Sequence, residues 1–138
     1  MTLEPREYRT SAATIIVAGN LVEIHYDHGI VFTNEKVREV HALRRSVLGD
    51  TPHATLTILP EEMDYRSETM QQDQGAMDRG TGALLASAIV TKDSMVEMLT
   101  KLYFSYFPQL HRIRVTASEQ DARSWLATQM EEIARTGS

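Results

Sequence analysis

The 138 residues include 14 lysines and arginines against 19 aspartates and glutamates, a formal charge of −5, with 42% hydrophobic residues and no cysteine. A chain of this length is one domain by the usual prior and buries roughly two thirds of its unfolded surface, so a core forms without covalent staples. The missing thiols exclude disulfides, thiolate nucleophiles, iron–sulfur clusters and cysteine zinc sites. The acidic balance argues against nucleic acid as a general partner, because phosphate contacts need clustered Lys and Arg.

The segment Met1–Tyr8 is polar and carries both charge signs, without the basic stretch and apolar run of a secretory signal. Ala83–Val90 is the longest apolar run and falls far short of the ~20 residues that span a bilayer. The expectation is a cytoplasmic protein with no membrane partner. Residues 1–12 read as a weakly ordered leader, and residues 13–138 as a single domain.

Three short β-branched runs follow the leader. Thr14–Ala18 ends at Gly19-Asn20, Leu21–Tyr26 ends at Asp27-His28-Gly29, and Ile30–Thr33 completes the set. Gly-containing turns between such runs predict hairpins, with 21–26 and 30–33 as the paired strands. The period then becomes helical: Asn34 is the expected N-cap, Val37, Val40, Leu43, Val47 and Leu48 share one arc, and Gly49 is the stop. Arg44 intrudes on that arc, with its stem expected inside and its head outside.

Ala54–Leu59 is the next strand, closed by Pro60. Between 61 and 82 the pattern is soft, with Met63, Met70 and Met77 at a seven-residue spacing and a helix expected near 66–78. Ala83–Val90 suits a strand buried on both faces. A strongly apolar helix is predicted from Ser94 to Phe107, opened by a Ser94/Glu97 capping box, carrying a Glu97–Lys101 pair and stopped by Pro108. His111–Thr116 alternates as a half-exposed or edge strand. A last helix, capped by Ser118 and Asp121, carries Ala122, Trp125, Leu126, Met130 and Ile133. Strands alternating with about four helices predict an α/β fold: an N-terminal β-hairpin, then β-α units in a mixed, largely parallel sheet with right-handed crossovers.

Four pieces of this pattern carry a family resemblance over roughly residues 20–128. They are the turn Tyr26-Asp27-His28-Gly29-Ile30-Val31; the strand Thr55–Leu59 running on to Arg66-Ser67-Glu68; the strand 83–90 before an aromatic-ended helix; and Arg114-Val115-Thr116 before Glu119-Gln120-Asp121-Ala122-Arg123-Ser124-Trp125-Leu126. In that order they resemble an uncharacterised bacterial family of STAS-like domains, with the fold of the SpoIIAA anti-sigma-factor antagonists. The resemblance implies that fold more than an activity. In the antagonists a serine at the start of the helix after the third-strand loop is phosphorylated, within an Asp-Ser-Ser-Gly-like signature. The matching stretch here is Asp64-Tyr65-Arg66-Ser67-Glu68-Thr69, which lacks the glycine and leaves Ser67 and Thr69 as the candidate phosphorylation sites.

Two functional readings stay open. The first is a non-enzymatic regulatory or protein-interaction module, cytoplasmic and homodimeric, without cofactor or metal. The apolar arc of the 94–107 helix covers about half the wheel, more than one sheet face covers, which points to an interface with Met98, Tyr103, Phe104 and Phe107 as candidates. The second is a small-ligand binder or enzyme using His25, Asp27 and His28, or a pocket at the strand carboxyl ends. Against catalysis, no Gly-x-Ser-x-Gly elbow exists, and Gly80-Thr81-Gly82 leads into a strand rather than the helix a phosphate loop requires. His41, His53 and His111 read as surface or edge residues. The basic stretch Lys36, Arg38, Arg44 and Arg45 reads as a solvated helix face.

Overall fold

The computed structural model describes residues 4–61, 64–65, 83–106 and 111–136. Within them lie strands β1 (Arg6–Arg9), β2 (Ala13–Ala18), β3 (Leu21–Tyr26) and β4 (Val31–Phe32), helix α1 (Asn34–Leu48), strands β5 (His53–Ile58), β6 (Asp64–Tyr65) and β7 (Leu84–Val90), helix α2 (Ser94–Tyr106), strand β8 (Arg112–Thr116) and helix α3 (Glu119–Thr136). The helix expected near 66–78 falls outside the described residues, so three helices rather than about four are seen.

Six strands make one mixed sheet in the order β1-β2-β3-β5-β7-β8. The pairs β1/β2 and β2/β3 are antiparallel, and β3/β5, β5/β7 and β7/β8 are parallel. The β2/β3 hairpin turns on Gly19-Asn20 between the paired Ala18 and Leu21. Gly19 has φ 61°, and a positive φ at the first of two loop positions is the turn geometry that demands glycine.

The expected pairing of 21–26 with 30–33 does not form. β3 is already flanked by β2 on one side and by β5 on the other, where His25 lies opposite Ile58. With both edges of β3 occupied, β4 leaves the sheet and pairs in parallel with β6, Val31 opposite Asp64 and Phe32 opposite Tyr65. Residues 6–9, expected within a weakly ordered leader, form the strand at one sheet edge, with Tyr8 opposite Ile15.

Strand alternation sorts the core into two layers. On one face Ile15, Val17, Val22, Ile24 and Tyr26 pack with Val40 and Leu48 of α1 and Val96 of α2. On the other, Ala54, Leu56, Ala86, Ala88 and Val90 meet Ala122 and Leu126 of α3. The three strand alanines leave room for a helix to approach closely. The central strands are buried on both sides, so their polar residues must pair: Thr55 and Ser87, both buried, share a hydroxyl hydrogen bond of 2.7 Å.

Helix caps sit one residue earlier than expected at two places. Thr33, not Asn34, caps α1, its hydroxyl accepting from Lys36 N at 3.3 Å. Asp93, not Ser94, caps α2, with Oδ1 accepting from Met95 N at 2.9 Å and Val96 N at 3.3 Å. An ionised Asp at the N-cap adds favourable charge to the helix dipole, an advantage over serine. Ser118 caps α3 as expected, accepting from Asp121 N at 3.1 Å.

Candidate functional site

The hairpin-end cluster comes first, because its residue types carry the most chemistry. His25 projects from β3 on the same face as Glu23, two residues earlier, and its Nε2 lies 3.0 Å from Glu23 Oε1. Asp27 turns away from it toward β1, where Arg9 donates to both carboxylate oxygens at 2.9 and 2.8 Å. His28 sits in the exposed turn beyond. The three residues therefore do not converge on one point.

Each carboxylate here belongs to an arginine. Hydrogen bonding from Arg9 holds the Asp27 carboxyl below its ordinary value. Glu23 is lowered first by hydrogen bonds from Arg123, donated at 2.8 and 3.2 Å from α3, and then by His25. Arg123 in turn donates to Glu119 at 2.9 Å. The ionised carboxylate is the form that serves as a general base, but here each one is already engaged by an arginine. The network fastens β1 to the end of β3, and α3 to its middle. Among the described residues no group of three or more His, Cys, Asp or Glu is placed to hold a metal ion.

A second cluster escaped the sequence reading. Arg44 is 1% exposed, so its head does not reach solvent; Nη1 lies 2.9 Å from His53 Nε2 and Nε donates to His41 Nδ1 at 3.3 Å. His53, read as a surface residue, is likewise 1% exposed at the start of β5. Its Nδ1 lies 2.8 Å from the Thr51 carbonyl. Arginine only donates and a carbonyl only accepts, so the ring is the neutral Nδ1–H tautomer. The cluster ties the last turns of α1 to the amino end of β5. The one legible signal for it was the arginine inside an apolar arc.

The third feature is a surface. Helix α2 turns Val96, Thr100 and Tyr103 inward. Thr100 is accommodated there because its hydroxyl donates to Val96 O at 2.7 Å, so no polar group is left unsatisfied. The opposite side presents Met95 at 59%, Met98 at 56%, Leu102 at 51% and Tyr106 at 76% exposure. These are the large hydrophobic residues that lie exposed among the described residues, and spacings of three and four put them on one stripe.

Of the interface candidates, Met98 is on this stripe. Tyr103 is buried against the sheet, and Phe104 is half-buried with its ring edge-on to Tyr103 at 5.2 Å. The outward residues are thus Met95, Leu102 and Tyr106 in place of Tyr103 and Phe104. Half of the wheel is apolar, so helical periodicity alone does not decide which apolar arc meets the core. Phe107, Ser67 and Thr69 lie outside the described residues. No helix among the described residues is long and apolar enough to cross a membrane.

No protein-family model and no curated protein matches the chain. Its structure is similar to that of an uncharacterized protein of the DUF3478 family with a SpoIIAA-like fold from Shewanella loihica PV-4. The TM-score is 0.52 at 17% sequence identity, over 89% of this chain and 92% of the other. A likeness at that identity speaks for the fold alone: the chain has a SpoIIAA-like α/β architecture.

Proposed function

We propose that this SpoIIAA-like chain is a non-enzymatic, cytoplasmic protein-interaction domain of STAS type that self-associates through the outward stripe of α2. The observation that carries this reading is the collection of Met95, Met98, Leu102 and Tyr106, each more than half exposed, on one side of one helix. Scattered exposed hydrophobic residues are ordinary, whereas a contiguous patch marks a contact surface. The alternative, a ligand binder or enzyme using His25, Asp27 and His28 or a pocket at the strand carboxyl ends, draws less support from the hairpin, where Arg9 holds Asp27 and Arg123 holds Glu23 beside His25.

Sedimentation equilibrium of the wild type beside Leu102→Asp tests it. The side chain is half in solvent already, so the variant keeps its fold, which circular dichroism verifies. The expected result is a wild-type assembly that grows with concentration and a variant that stays monomeric. A wild type that remains monomeric at high micromolar concentration overturns self-association.

A further inference from the structure

We draw no further inference here: the strongest candidate, the exposed apolar stripe of Met95, Met98, Leu102 and Tyr106 on α2, belongs to the surface already described, and nothing in the structure shows what covers it.

Discussion

Glu23 is the residue through which the solvent-facing side of β3 holds α3, and neutralising it is a worked test of the network around the hairpin. Its carboxylate accepts two hydrogen bonds from Arg123, 100 residues later in the chain, and one from His25. In Glu23→Gln the shape remains and the charge goes. The Arg123 side chain is 41% exposed and that of Glu23 only 17%, so the pair sits between a free surface ion pair and a buried one. Solvent screening keeps its worth near the top of the exposed range, about 1 kcal/mol. For a chain of this size that corresponds to a fall in Tm of about 3–5 °C.

The pH dependence has a definite sign. Arg123, then His25, holds the folded-state carboxyl below its ordinary value of 4.5. The stabilisation is therefore fully present above 4.5 and is lost as pH falls through the lower folded value. Asp27, Glu39 and Asp121 are lowered in the same direction, by Arg9, Ser11 and Arg114, so the wild type as a whole weakens on acidification. Comparing wild type and Glu23→Gln by urea denaturation from pH 7 to below pH 4 isolates the contribution of Glu23. The difference is expected to be about 1 kcal/mol at pH 7 and to shrink toward zero at the acid end. An equal difference at every pH would refute the electrostatic account and leave a packing effect in its place.

The buried hydroxyl pair of the central strands offers a double-mutant cycle: Thr55→Val or Ser87→Ala alone strands one buried polar atom and costs about 1–2 kcal/mol, while the double variant costs less than the sum. Additive losses in denaturant melts would show that the 2.7 Å contact contributes nothing. Asp93→Ala removes the acceptor for Met95 N and Val96 N and is expected to cost about 1 kcal/mol, whereas Ser94→Ala leaves stability within about 0.5 kcal/mol. A reversal of that order in thermal melts would return the cap to Ser94.

Local chemistry was legible along most of the chain. The apolar arc from Val37 to Leu48 and the stop at Gly49 delimit α1, and Gly49 adopts φ 54° with ψ −124°, a positive-φ conformation that glycine reaches without a Cβ penalty. The continuous small apolar run of 84–90 is a central strand because both of its faces meet helices or pack within the core. Arg112–Thr116, legible as a half-exposed or edge strand, does lie at a sheet edge, with Arg112 and Arg114 reaching to Glu132 and Asp121 on α3. Arg44 was visible as an anomaly, but its partner His53 was not, since nothing local marks a histidine at a strand start as buried.

What the sequence determined by itself is most of the inventory: the strands and helices from β2 onward other than β6, where turns fall, and that one helix carries more apolar surface than a sheet face covers. These depend on neighbours within a few residues, through side-chain periodicity, capping groups and the backbone freedom of glycine. Only the tertiary structure decided which strands adjoin and which arc of α2 faces out. β4 and β3 have matching local signals, yet β5 occupies the edge that β4 needed. The sheet draws Tyr103 inward together with a self-satisfied Thr100, and Met95, Met98, Leu102 and Tyr106 are left outside. Both outcomes are competitions between distant segments for one surface, and a local pattern holds no information about its competitors.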